Sequence, residues 1–481
     1  MLSIPTRPLL FLLTIPLFFT GCRIIPHVDQ KRKITEAWRQ GQAADAVREL
    51  TKEAAKHKKH GDAVVWHLEQ ATALRATTQI NESNDALAAA ERMIESYDKK
   101  AKVDILVEGK GILGNQAMLP YRGRDYDRVL MNTYRALNFM QLGDLSAARV
   151  ELRGAFQRQQ DAIEENKNRI SRAEAEAEKE LGKSKNKAAA KEMAEKAKAD
   201  PKLTEELQAL NPNLTGLKAY TDYVNPFTVY LDGVFFMAAA EGPSDLERSR
   251  TSLQKTLAFT EGSEFVKSDL EMVENIINGQ ALPPTTYVIF ETGMAPAREQ
   301  IKIRIPLFLA GVTEVPYLVA AFPVLKPQDS HVPYLKLTVS GTNIATGTLA
   351  NMDSVVGHAF KNELPGIITK TLISTAFKAA AIWSINDAMK KENPLAKALV
   401  NFLIALLNEL FAVADTRTWC TLPKQYQFAR FPTPADGKLT LSSPDETLRS
   451  DVPLQPATVN IVYVKAINST SPMIVSQIKL K

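Results

Sequence analysis

The hydrophobic period changes at Pro283-Pro284, and this change constrains the fold more than any other feature of the chain. Before it, from residue 34 to about 277, alanine and larger apolar residues recur at helical spacing with few strand signals. After it, residues 287–290, 301–305, 334–338, 458–464 and 474–480 read as strands, with strict alternation at 301–305. Paired prolines suit an extended linker and not a helix. At 481 residues the chain is too long for one hydrophobic core. The expectation is a mainly α protein: a helical part over 34–282, then an α+β part over 283–481.

Within the helical part a helix-turn-helix pattern recurs. Its clearest copy has Ala136, Phe139, Gly143, Leu145, Ala148, Leu152 and Ala155, a spacing that resembles a tetratricopeptide repeat. Small residues at 136 and 148 let two helices approach, Gly143-Asp144 turns the chain, and the larger apolar residues fill the contact. Weaker copies carry Gly41, Ala46 and Leu50; Leu74, Ala86, Ala90 and Met93; and Phe236, Ala240, Leu246 and Leu253. Each pair must stack on its neighbours to hide its apolar face, which predicts a short helical solenoid. From about 159 to 210 the pattern gives way to Ala, Glu and Lys. That segment reads as a long solvated helix and a polar connection, with no sustained coiled-coil seam.

The strands flank an apolar helical insert at about 367–414. Its second helix starts at Asn393-Pro394, an N-cap followed by proline at the first helical position. It is almost wholly apolar (Leu399, Val400, Phe402, Leu403, Ile404, Leu406, Leu407, Leu410, Phe411), while Lys397, Asn401 and Asn408 line one side. The polar stripe predicts a helix packed beneath the strands; shallow insertion into a bilayer is the alternative.

With 59 basic and 54 acidic residues the net charge is +5, so nucleic acid is not an expected partner. Lys31-Arg32-Lys33 and Lys58-Lys59 read as solvated surface. Of the two cysteines, Cys22 is the acylation candidate discussed below and, once acylated, leaves Cys420 without a partner and the fold without disulfides. Residues 109–114 spell G-x-G-x-x-G, but Pro120 and Gly123 follow where a dinucleotide site needs a helix. The six histidines (His27, His57, His60, His67, His331, His358) form no metal-ligand spacing, and G-x-S-x-G is absent. No cofactor, metal or catalytic residue is expected.

At the N-terminus, Arg7, an apolar run from 9 to 19 and Phe19-Thr20-Gly21-Cys22 resemble a bacterial lipoprotein signal peptide. The resemblance implies cleavage after 1–21, acylation of Cys22 with chains such as palmitate, and a tether over 22–33. With Arg23 and not aspartate after the cysteine, it also implies an outer-membrane anchor facing the periplasm.

Three segments look specified beyond packing. Residues 119–128 crowd Tyr121, Arg122, Arg124, Tyr126 and Arg128 into a turn, 223–235 open the last helical pair, and 414–423 leave the apolar helix. Tyrosine and arginine suit binding hot spots, which makes those five residues partner-binding candidates; they serve equally as staples at a helix start. In the last segment Asp415 and Arg417 are expected to pair, with Trp419 closing the core. Pro120-Tyr121-Arg122-Gly123, residues 225–233 and residues 414–423, in this order, resemble a family of uncharacterised Gram-negative lipoproteins with tetratricopeptide-like repeats. The resemblance implies envelope location and architecture, and no activity. The expected function is a lipid-anchored, non-enzymatic periplasmic scaffold that binds envelope proteins through its helical repeats. The alternatives are an envelope hydrolase or glycan-acting enzyme with its site in the C-terminal part, and a membrane-associated pore or assembly component.

Overall fold

The computed structural model describes residues 27–103, 116–167, 209–214, 225–306, 317–391 and 393–481, with a few single positions between 196 and 206. The leader, Cys22, the G-x-G-x-x-G segment and most of the charged stretch at 159–210 lie outside the described residues.

Helices come first: α1 (His27–Gln30), α2 (Arg32–Arg39), α3 (Ala43–His57), α4 (Ala63–Ala76), α5 (Ile80–Val103), α6 (Asp125–Leu142), α7 (Leu145–Lys167), α8 (Pro226–Ala238), α9 (Pro243–Phe259) and α10 (Glu264–Ile277). From α2 to α7, and again from α8 to α10, each packs on the next along the chain. The clearest repeat copy becomes the α6–α7 pair. Gly143 takes a left-handed φ of +79° to end α6, and the Asp144 carboxylate accepts from the Ala147 amide (2.9 Å) to start α7. Ala136, Ala148 and Ala155 are buried at the contact. In α8 every residue is buried, as expected of a helix that is apolar all round. A Cβ at Gly233 would stand 2.9 Å from the Leu253 side chain of α9, so only glycine permits this approach.

Strands follow: β1 (Thr285–Thr292), β2 (Ala297–Pro306), β3 (Tyr317–Lys326), β4 (Lys336–Val339), β5 (Thr342–Ala345) and β6 (Gly347–Asn351). Next come α11 (Met352–Ala388) and α12 (Pro394–Phe411), then β7 (Gln425–Pro432), β8 (Lys438–Ser442), β9 (Arg449–Pro453), β10 (Val459–Ala466) and β11 (Ile474–Lys479). One sheet has the order β11-β10-β1-β7-β6, a second β5-β4-β8-β9, and β2-β3 form a hairpin. In the five-stranded sheet β1 runs parallel to β10 and antiparallel to β7.

Alternation along these strands divides the core. Tyr287, Ile289, Tyr426, Phe428, Ile461 and Tyr463 face the helices and join one apolar cluster with α4–α10. Val288, Phe290, Ala429, Phe431, Val462 and Val464 point the other way, onto Leu337, Leu439, Leu441 and Val452 of the second sheet. The result is three layers: helices, five-stranded sheet, four-stranded sheet. The chain is therefore helical first and α+β second, with the helices and the central sheet sharing a core.

Three expectations need correction. Helix α11 begins at Met352 and not near 367, because the Asn351 side chain accepts from the Asp353 amide (2.9 Å) and caps it there; Pro365 is accommodated inside. The tether expected over 22–33 is docked helix from His27 onward. Lys31, expected in a solvated cluster, is buried.

Candidate functional site: an N-terminal clasp and an uncovered helix

Lys31, between α1 and α2, projects into the body. Its Nζ donates to Glu69 Oε1 (2.6 Å), to the Thr418 carbonyl (2.7 Å) and to Cys420 Sγ (3.2 Å), which uses all three ammonium protons. Glu69, on α4, also accepts from the Cys420 amide (2.7 Å), the Thr421 amide (3.0 Å) and the Thr421 hydroxyl (2.7 Å). Burial opposes the lysine charge, but the Cys420 sulfur and Glu69 beside it raise the ammonium above the ordinary lysine value. Burial pushes the Cys420 thiol up as well. His27 is buried edge-on to the Trp66 ring, centroids 4.8 Å apart. Burial, then the Lys31 charge, hold its pKa well below the ordinary histidine value. The Val28 amide donates to Thr416 Oγ1 (3.2 Å). Together these contacts form a clasp that fastens the first described residues to the segment 415–421.

Residues 119–128 back this clasp from the other side. Arg417 donates to both Asp415 oxygens (2.8 and 2.9 Å) and to the Leu119 carbonyl (2.6 Å). Burial would raise Asp415, but the Arg417 guanidinium wins and holds it well below the usual carboxylate range. Arg124 donates to the Arg417 carbonyl (2.6 Å) and to the Tyr121 hydroxyl (2.8 Å). Tyr121 in turn donates to Asp127. Arg128 forks onto Asp98 at 2.8 and 3.0 Å. Of the five candidate partner-binding residues, Tyr121 and Tyr126 are buried, the half-buried Arg124 is committed to Arg417 and Tyr121, and Arg128 to Asp98; Arg122 is exposed. The placement of all but Arg122 is that of staples within the chain. The expected Asp415–Arg417 pair is present, and Trp419 is buried with its indole N–H donating to Thr72 (2.8 Å).

Two further buried clusters pin the helices to the sheet. Glu291 of β1 lies opposite Lys465 of β10 and Tyr426 of β7 in the ladders. It accepts from Lys465 Nζ (2.6 Å), from the Tyr134 hydroxyl of α6 (2.6 Å) and from the Tyr463 hydroxyl. Burial raises its pKa, but Lys465 and these hydrogen bonds outweigh that and lower it. Asp269 of α10 accepts from Tyr230 and Tyr287 (2.8 Å each) and pairs with Arg430 at 3.0 Å. Here burial dominates and lifts the carboxyl to about 6. Sequence reasoning missed Glu69, Asp269, Glu291 and Lys465. The available signal was a lone charge at the edge of an apolar run, as in Tyr287-Val-Ile-Phe-Glu291. Among the described residues no group of three His, Cys, Asp or Glu side chains converges as a metal site requires.

Helix α12 departs most from expectation. It was expected beneath the strands, yet Leu395, Leu399, Phe402 and Leu406 are 78%, 59%, 63% and 44% exposed. Val400 is buried, and the helix touches the rest of the fold mainly along β3. Lys302 of β2 reaches the Glu409 carbonyl (2.7 Å) near its end. The polar residues Lys397, Asn401 and Asn408 are half-buried, and the Asn401 and Asn408 side-chain oxygens are turned inward. No helix among the described residues is long and apolar enough to cross a membrane.

No family model matches the chain, and neither a curated protein nor a solved structure does.

Proposed function

We propose that this chain is a lipid-anchored scaffold of the bacterial envelope, non-enzymatic, held at the outer membrane through an acylated Cys22 and binding protein partners in the periplasm with its helical layer. The helix pairs are read as a tetratricopeptide-like solenoid. The observation that carries the reading is the clasp around Lys31. It fixes the chain six residues after Cys22 to the body through Val28 and Thr416, so an acylated Cys22 holds that body within about 20 Å of the lipid. A short, docked lead suits a protein whose task is placement. The polar clusters favour the same reading: Lys31–Glu69, Arg417–Asp415, Glu291–Lys465 and Asp269–Arg430 are occupied with one another, and their chemistry goes into holding layers together.

Partner contact is assigned to the outer side of the helices, where Val150 and Phe156 of α7 are exposed. The test is photocrosslinking in cells from a probe placed at Val150. A single defined protein adduct, lost when Cys22→Ala moves the chain off the membrane, is the expected result. Adducts that are absent, or that are unchanged when the probe sits instead at Thr251 on α9, contradict it.

A further inference from the structure

The apolar stripe of α12 has no covering element within the described chain. Its members recur at 395, 399, 402 and 406, the spacing of one helix face, and all four are exposed. A contiguous uncovered face of this kind marks an interaction surface. What covers it follows from where the chain's lipid end is held. The Val28 amide is bonded to Thr416, five residues past the end of α12 at Phe411. Six residues lead back from Val28 to Cys22, a reach of about 20 Å at most, and α12 itself is about 27 Å long. Acyl chains on Cys22 are therefore tethered close to the C-terminal end of α12.

We propose that the exposed face of α12 lies in the membrane leaflet that holds the Cys22 acyl chains, so that the protein touches the bilayer at two points and not one. The proposal rests on the acylation reading above. An in-plane seating fits the helix: it is amphipathic in burial, with Lys397, Asn401 and Asn408 half-buried against the protein and Leu395, Leu399, Phe402 and Leu406 turned out. Charge contributes little. The turn from 387 to 397 carries three lysines against Asp387 and Glu392, one excess positive charge, so apolar contact drives the seating and high salt leaves it in place.

The experiment uses the acylated chain with Phe402→Cys labelled by an environment-sensitive fluorophore. Acylation blocks the thiol of Cys22 and Cys420 is buried, so the label goes to one place. The labelled chain is reconstituted by its anchor into phosphatidylethanolamine–phosphatidylglycerol vesicles. The expected result is a several-fold rise and blue shift of emission, quenched by lipids spin-labelled near the headgroup and unchanged by high salt. The same label at Thr251→Cys stays aqueous, and adding Leu399→Asp to Phe402→Cys abolishes the rise. Water-like emission at 402 from a chain that floats with the vesicles overturns this proposal and leaves the anchor intact. A chain that does not float overturns both. Emission that rises without vesicles and with protein concentration assigns the face to a second copy of the chain and also overturns it.

Discussion

Replacing Lys31 with alanine strands the Glu69 carboxylate in the interior, and removing one partner of a buried pair costs about 3–5 kcal/mol. Denaturant unfolding of Lys31→Ala against wild type reads that loss, while Lys59→Ala, at an exposed position, leaves stability within about 0.5 kcal/mol. Asp269 makes a different prediction, because its carboxyl is raised to about 6 in the folded chain against about 3.9 unfolded. A raised acid binds its proton more tightly when folded, so its contribution is greatest below about pH 4 and is lost as pH climbs through about 6. The stability of wild type relative to Asp269→Asn should therefore fall by about 3 kcal/mol between those values. A difference that stays flat, or rises, contradicts the assignment. These positions were hard to read in the sequence for one reason. A charged side chain defaults to the surface unless a partner is known, and the partners of Lys31 and Glu291 come from elements 38 and 174 residues away.

Among the elements, those legible in the sequence are the ones whose local chemistry points one way. Gly143-Asp144 turns α6 into α7, Asn393-Pro394 opens α12, and the apolar alternation at 301–305 gives part of β2. Helix α11 starts fifteen residues before the expected 367, at a cap that Asn351 supplies directly after β6, with Pro365 inside the helix. For α12, composition gave the helix but not its covering. Whether an apolar helix is buried or left bare depends on what packs over it, and the sequence shows no such partner. At the other end of the chain, α1 carries a pH dependence. His27 is held neutral by burial and its unfolded pKa is about 6.5. Its depressed folded value gives stability that is present above about pH 6.5 and is lost as pH falls below it. Protection factors of the α1 and α2 amides, which remove the intrinsic slowing of exchange by acid, should fall on acidification in wild type and not in His27→Phe.

For the whole molecule the decisive fact is that one apolar cluster contains α4–α10 and the near face of the central sheet. The change of period at Pro283-Pro284 marks a change of element type there, and the cluster runs across it. Cut at that point, residues 283–481 would expose Tyr287, Ile289, Tyr426, Phe428, Ile461 and Tyr463, each worth roughly 1.5–3 kcal/mol when buried. That loss rivals the whole stability of a domain, about 5–15 kcal/mol. Expressed alone, the piece is expected to be insoluble or protease-sensitive, and the full chain to unfold in a single transition by circular dichroism and tryptophan fluorescence. The functional account depends on where this body is held. The most direct measurement is the mass of the mature N-terminal peptide from membrane-derived protein. The account predicts a chain that begins at Cys22 and carries diacylglyceryl and acyl groups; an unmodified Cys22, or a retained leader, would contradict it.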